Sequence, residues 1–285
     1  MTQHISPQTQ HPKYFSFEFA APKTDEALAK LERTRARLQA VDPHFFSVTY
    51  GAGGSTREGT KQAVLGIQAA GSAVAPHLSF GGDPANKIAE LLEDYQQAGV
   101  NRVVALRGDV PSGTGGSGKL AYANELVAFI REQTGDHFHI EVAAYPEIHP
   151  DSRSVESDLH YFKAKVDAGA DSAITQYFYN PGAYFNYVEA CAAMGIQIPI
   201  VPGIMPITNF QTLVRFSDTC GADIPRWIRK HLEAYQDDPV SLKAFGEDVV
   251  TDLCRQLLDG GAPGLHFYTM NQSVPTLNLW RNLEL

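Results

Sequence analysis

The amino-acid sequence predicts an α/β protein of the (β/α)8 TIM-barrel class, built as a single domain. Three observations predict it. Short apolar runs alternate eight times with segments of helical spacing. No linker-like change of composition interrupts the 285 residues, a length that suits one α/β barrel. Polar and titratable residues gather at the C-terminal ends of the apolar runs, where such barrels carry their chemistry. An open doubly wound sheet uses the same alternation and stays as the competing architecture. The count of eight favours the barrel.

The elements follow in order. Tyr14 to Phe19 is an aromatic-rich strand that ends before Pro22, and Thr24 offers a cap to a helix carrying Ala27, Leu28, Leu31 and Leu38. Phe45 to Thr49 precedes a helix from Arg57 to Ala69, and Ala73 to Leu78 precedes one from Pro84 to Ala98. Arg102 to Leu106 leads to a helix from Tyr122 to Gln133, and His139 to Ala144 to one from Ser154 to Ala168. Ser172 to Gln176 is followed by Pro181 to Met194, and Pro199 to Val201 by Asn209 to Cys220. Helical excursions fill Pro225 to Asp259 before a last strand, Gly264 to Tyr268, and a helix from Val274 to Asn282. The division expected is a disordered tail over residues 1–12 and a catalytic barrel over 13–285.

Bulk properties exclude several functions. A hydrophobic content of 44% with 19% charged residues suits a large buried core rather than disorder. The net charge of -9 opposes binding to nucleic acid, although a local basic patch can still hold an anionic cofactor. Cys191, Cys220 and Cys254 are three, far apart and without metal-ligand spacing, so reduced thiols are expected. No apolar run reaches membrane-spanning length, and the start lacks the apolar stretch of a secretory signal, which makes a cytoplasmic enzyme the expectation.

The strand ends carry Glu18, then Thr49 and Tyr50, then His77, then Arg107-Gly108-Asp109. Further along come Tyr145 and His149, Gln176, and finally Tyr268 with Asn271. One such residue is usually a cap or a satisfied core group; a succession of them reads as a site. Glu18 interrupts a run of aromatics, and one strand alone leaves open whether its face is the inner or the outer one. Gly113 to Lys119 imitates a phosphate-binding loop, but Leu120 stands where a hydroxyl residue is required, so the run reads as a barrel loop. His137 and His139 lack a third ligand, and no strand ends in the lysine that Schiff-base chemistry needs, so neither a metal nor an aldolase is expected.

Taken in order, Phe-Ser-Phe-Glu-Phe, Val-Thr-Tyr-Gly-Ala, Ala-Pro-His-Leu, Ala-Leu-Arg-Gly-Asp-Val-Pro, Ala-Ala-Tyr-Pro-Glu-Ile-His-Pro, Thr-Gln-Tyr-Phe-Tyr, Pro-Gly-Ile-Met-Pro and His-Phe-Tyr-Thr-Met-Asn resemble the methylenetetrahydrofolate reductases. The likeness runs from Tyr14 to Asn271. It implies a (β/α)8 barrel holding FAD noncovalently, with NADH or NADPH as electron donor, NADH being favoured, and folate as substrate. The reaction it implies is reduction of 5,10-methylenetetrahydrofolate to 5-methyltetrahydrofolate by a ping-pong route, in one-carbon metabolism and methionine supply. A flavin barrel with another electron acceptor and a non-catalytic relative remain alternatives.

Carried over residue by residue, the resemblance assigns FAD contacts to Thr49, Tyr50, Ala52, His77, Arg107, Gly108, Asp109, Tyr122, Ala123, Tyr145, His149, Asp158 and Lys165. It makes Glu18 the general acid at the folate N5, with burial among Phe15, Phe17 and Phe19 expected to raise its pKa. Asp109 would act electrostatically beside pterin and flavin. Gln176 and Phe210 would serve folate and nicotinamide in turn, and Gln272 the folate. Departures from the pattern are Ala20 and Ala21 after Glu18, Tyr161 and Ala164 where relatives carry polar cofactor contacts, and Gln272 where some carry arginine. Family members are homo-oligomers, and control by S-adenosylmethionine is not expected of a barrel alone.

Overall fold

Strands form where β-branched and aromatic residues run together, and most hand over to a helix at a capping or proline position. The computed structural model describes residues 6–51, 56–80, 84–107 and 122–285. Its strands are β1 (Tyr14–Phe19), β2 (Phe45–Val48), β3 (Val74–Leu78), β4 (Arg102–Ala105), β5 (His139–Ala144), β6 (Ser172–Thr175), β7 (Ile200–Val201), β8 (Gly203–Ile204) and β9 (Gly264–Tyr268). Its helices are α1 (Asp25–Leu38), α2 (Arg57–Ala69), α3 (Ala85–Gln97), α4 (Ala123–Thr134), α5 (Val155–Asp167), α6 (Pro181–Ala193), α7 (Phe210–Cys220), α8 (Arg226–Ala234), α9 (Pro239–Asp259) and α10 (Ser273–Asn282). The fold class is the (β/α)8 barrel that the alternation predicts. Thr24 caps α1, its Oγ1 accepting from the Ala27 N–H at 3.2 Å, and Asn209 caps α7 through Thr212 at 2.8 Å.

The chain divides into two compact units. The first comprises residues 16–143 and 161–173. Here β1 to β5 pair in parallel, each with the next, in the registers Glu18 to Ser47, Val48 to Pro76, His77 to Val104 and Val104 to Glu141. Phe17, Phe19, Phe45, Phe46 and Val48 are fully buried, and Phe19 stacks on Phe46 with centroids 5.5 Å apart. At the other end of the strands, the fully buried Glu141 is held by Arg102 and by Ser172, whose Oγ donates at 2.5 Å. His139 joins the same cluster, its Nε2 lying 2.6 Å from Ser172 Oγ, whereas His137 reaches the Val100 carbonyl at 2.9 Å.

The second unit comprises residues 6–15, 144–160 and 174–285. Its β8 and β9 pair in parallel, Gly203 to His266 and Ile204 to Phe267. Two glycines are required by close backbone approach. A Cβ on Gly203 would lie 2.2 Å from the Thr175 carbonyl oxygen, and one on Gly264, whose φ is 131°, would lie 1.7 Å from that of Tyr14.

Two expectations change here. The seventh unit carries two strand segments, because Pro202 has no N–H to give to a ladder and separates β7 from β8, while its carbonyl accepts from His266 at 2.9 Å. Residues 6–12, expected within a disordered tail, are docked. Pro7–Gln10 is a 3-10 turn, and the buried Gln8 accepts from the Ile200 N–H at 2.7 Å and donates to Ile198. A polar side chain thus terminates backbone groups at the start of β7.

Candidate active site

In the first unit the site starts from Glu18. Its neighbours along β1, Phe17 and Phe19, are buried, and strand alternation turns them to the opposite face. Glu18 shares its face with Ser47, its register partner, and its carboxylate meets an imidazole instead of an aromatic cage. His77 Nε2 lies 3.2 Å from Glu18 Oε2, with the two side chains only 9% and 15% exposed. That distance is within ion-pair range, yet Nε2 is not aligned as a hydrogen-bond donor or acceptor to the carboxylate. The imidazole thus stands at ion-pair distance from the carboxylate without a hydrogen bond at Nε2.

Thr49 and Tyr50 follow β2 and fix the adjoining turns. Thr49 donates its N–H to Phe19, accepts at Oγ1 from Ala21 at 3.1 Å and accepts at its carbonyl from Thr60 at 2.8 Å. Arg57, first residue of α2, donates through Nε to Tyr50 Oη at 3.0 Å. Arg107 lies exposed beyond β4, after Leu106 has donated to Leu78. Tyr122 heads α4, its N–H donating to Glu125 at 2.9 Å, and Ala123 is the first residue of that helix. On α5, Lys165 donates to the Ala143 carbonyl at 2.5 Å and sits 5.4 Å from the Phe162 ring. Glu18, Thr49, Tyr50, His77 and Arg107 thus collect at the carboxyl ends of adjacent strands, as the sequence predicts. Ala52, Gly108 and Asp109 lie outside the described residues, as does the glycine-rich run before α4.

In the second unit, Tyr145 and His149 meet edge to face with centroids 4.6 Å apart. His149 Nδ1 accepts from the Asp151 N–H at 3.0 Å, which assigns the ring proton to Nε2. Ile148, between them, has φ of 68°, a left-handed conformation strained for a β-branched residue. Asp158 is spent on this turn: its two oxygens accept from the His149 N–H at 3.2 Å and the Ser152 hydroxyl at 2.8 Å. It therefore builds the loop that presents His149. Glu147, not among the residues expected at the site, accepts from the Asp223 N–H at 2.9 Å, and burial raises its pKa. Its place in the Tyr-Pro-Glu-Ile-His run was the available signal.

Gln176 follows β6. Its N–H donates to Ala144 at 2.8 Å and its Oε1 accepts from the Tyr177 N–H at 3.0 Å, which points the amide NH2 end away from its own turn. Phe210 is the first residue of α7 and lines an open groove of about 560 Å³ with Val214, Arg215 and Arg229. Gln272 sits exposed at the start of α10, after the consecutive left-handed residues Met270 and Asn271. Tyr268 Oη donates to the Thr175 carbonyl at 2.7 Å and so clamps β6 to β9 beside Gly203.

A (β/α)8 barrel whose strands end in a carboxyl, an imidazole, a guanidinium and an amide is of the class of barrel enzymes, which as a class carry their chemistry at the carboxyl ends of their strands. The comparisons with known proteins give the family. The methylenetetrahydrofolate reductase family description matches residues 1–284. The chain is 38% identical over 259 residues to 5,10-methylenetetrahydrofolate reductase of Escherichia coli, covering 90% of this chain and 86% of that one. It is 39% identical over 285 residues to methylenetetrahydrofolate reductase (NADH) 1 of Arabidopsis thaliana, covering 95% of this chain and 48% of that protein, about half its length. A solved structure described as an uncharacterized protein from Clostridium thermocellum that binds two copies of 5-methyl-5,6,7,8-tetrahydrofolic acid shares the fold, with a TM-score of 0.69 at 14% identity over 98% of this chain and 96% of that one. The chain belongs to the methylenetetrahydrofolate reductase family.

Proposed function

We propose that the protein reduces 5,10-methylenetetrahydrofolate to 5-methyltetrahydrofolate with NADH or NADPH, through a noncovalent FAD and a ping-pong sequence, supplying methyl groups for methionine synthesis. The observation that carries the reading is Glu18 set against His77 on a nearly buried strand face in a chain of this family. The donor set fits FAD. In the first unit Arg107 offers an exposed guanidinium suited to phosphate, and His77 and Thr49 offer polar atoms at the strand ends; in the second, Tyr145 and His149 offer ring faces and edges. When bound, FAD supplies two-electron transfer between the nicotinamide and the folate. The chain's own work is to place Glu18 for proton delivery at the folate N5, with Gln176 and Phe210 orienting the substrates and Gln272 at the folate end. Asp109 is assigned the electrostatic role beside the pterin.

The test follows the flavin spectrum of the purified protein in the absence of oxygen. NADH should bleach it and methylenetetrahydrofolate should restore it; Glu18→Gln should still bleach, and return at least ~100-fold more slowly with folate. Bleaching without folate-driven return in the unaltered protein would reject the substrate. Equal loss of both half-reactions in Glu18→Gln would reject the role of Glu18.

A further inference from the structure

The Glu18 and His77 pair goes beyond a general acid alone. A carboxyl that gives its proton to a substrate from a nearly buried strand face becomes a poorly solvated carboxylate, and the next turnover needs that proton back. His77 Nε2 is a polar atom placed to provide it, 3.2 Å from Oε2, nine-tenths buried and without an aligned hydrogen-bond partner. Ser47, in register with Glu18, is fully buried with its hydroxyl also lacking a hydrogen-bond partner. On the strands paired with β1 and β3 in this unit, β2 presents Ser47 and Thr49 before Tyr50, and β4 runs from Arg102 to Ala105 with Arg107 beyond it. Arg102 is engaged with Glu141 at the opposite end.

We propose that His77 is the positioning residue that returns the proton to Glu18, so that the two side chains titrate as one pair; the inference rests on the reading of Glu18 as the acid. The proton balance is closed. Glu18 loses a proton from one carboxyl oxygen to the folate N5, the protonated His77 gives one from Nε2 to Oε2, and His77 regains one from solvent water. No electron transfer is involved in this step.

The experiment uses flavin-loaded protein carrying 13C-labelled glutamate carboxyls, with the Glu18 signal assigned by its loss in Glu18→Gln. Two groups that share a proton show two steps in each other's titration. The Glu18 signal should show two steps in the unaltered protein and one in His77→Gln. A single step in both overturns the proposal. Where His77→Gln fails to fold or to hold flavin, the His77 ring signal is followed instead, with two steps expected in the unaltered protein and one in Glu18→Gln. Steady-state folate turnover in His77→Gln should fall by about tenfold or more. In His77→Ala, free imidazole should restore part of it, whereas an unchanged rate, or no response to imidazole, overturns the proposal. Turnover that survives in Glu18→Gln would instead reject the acid role itself, independently of the two-step titration.

Discussion

Arg131 on α4 allows a magnitude to be worked from geometry. Its Nε and Nη2 donate to the Gly169 carbonyl at 3.0 and 2.8 Å, Nη1 donates to Phe138 at 2.8 Å, and Nη2 donates to Asp171 Oδ2 at 2.6 Å. Asp171 Oδ2 also accepts from the Ile140 N–H at 2.7 Å, so one guanidinium ties the end of α5 to the starts of β5 and β6. Arg131→Met keeps the stem and removes every donor. Gly169, Phe138 and Asp171 each then lose a short charge-assisted bond, and Gly135 a longer one at 3.3 Å, but the side chain is 19% exposed and water replaces part of each. At about 1 kcal/mol net for each of the three shorter contacts, the loss is about 3 kcal/mol, and the melting temperature of a 285-residue chain should fall by about 5 °C. Arg131→Lys, with a point charge instead of a fork, should fall between. Thermal and urea unfolding of the three proteins measures this. A loss below about 1 kcal/mol in Arg131→Met would show that water satisfies these carbonyls and that the guanidinium is not a structural tie.

Gly203→Ala forces a Cβ to within 2.2 Å of the Thr175 carbonyl oxygen and 2.7 Å of Tyr268 Oη. A loss of about 2–3 kcal/mol is expected on urea unfolding; near-native stability would mean that β8 shifts freely. Glu147→Gln tests linkage at a half-buried carboxyl. Burial raises the folded-state pKa of Glu147, more than the bond from Asp223 lowers it, so the folded protein takes up a proton there. Stability from this group is present at low pH and is lost as pH rises from the ordinary value of about 4.5 through the raised one. Glu147→Gln keeps an acceptor for the Asp223 N–H and should be more stable than the parent near neutral pH, with no advantage near pH ~4. Denaturant midpoints at both pH values decide it, and a less stable variant at neutral pH refutes the cause.

Periodicity made most of the fold legible. The β1, β5 and β9 ranges and α2 coincide with their sequence readings, because uninterrupted buried runs and amphipathic spacing leave few competing registers. The division of the seventh strand is not legible as a division, although Pro202 is in view, since a proline breaks a ladder only where its nitrogen faces a partner strand. The docking of Gln8 on Ile200 was hidden for another reason. It joins residues 192 positions apart through a polar side chain, and no local pattern encodes such a partner.

The candidate site divides along the same physical line. Which residues stand at strand ends follows from counting along each run, so Glu18, Thr49, His77, Arg107 and Gln176 could be named from the sequence. Which of them meet depends on the stagger between strands. Glu18 is level with Ser47, and Val48 with Pro76, so the imidazole that reaches Glu18 comes from one residue further along β3 than Pro76. A shift of one residue in either register would turn His77 to the other face and bring Pro76 or Leu78 to its place. Turn strain is equally silent in the sequence. Ile148 has a low intrinsic tendency toward φ of 68°, at a cost of about 1–2 kcal/mol, and is held there by the bonds that Asp158 and Asp151 make around His149. The loop that presents His149 is therefore specified by its polar side chains against the preference of its own backbone.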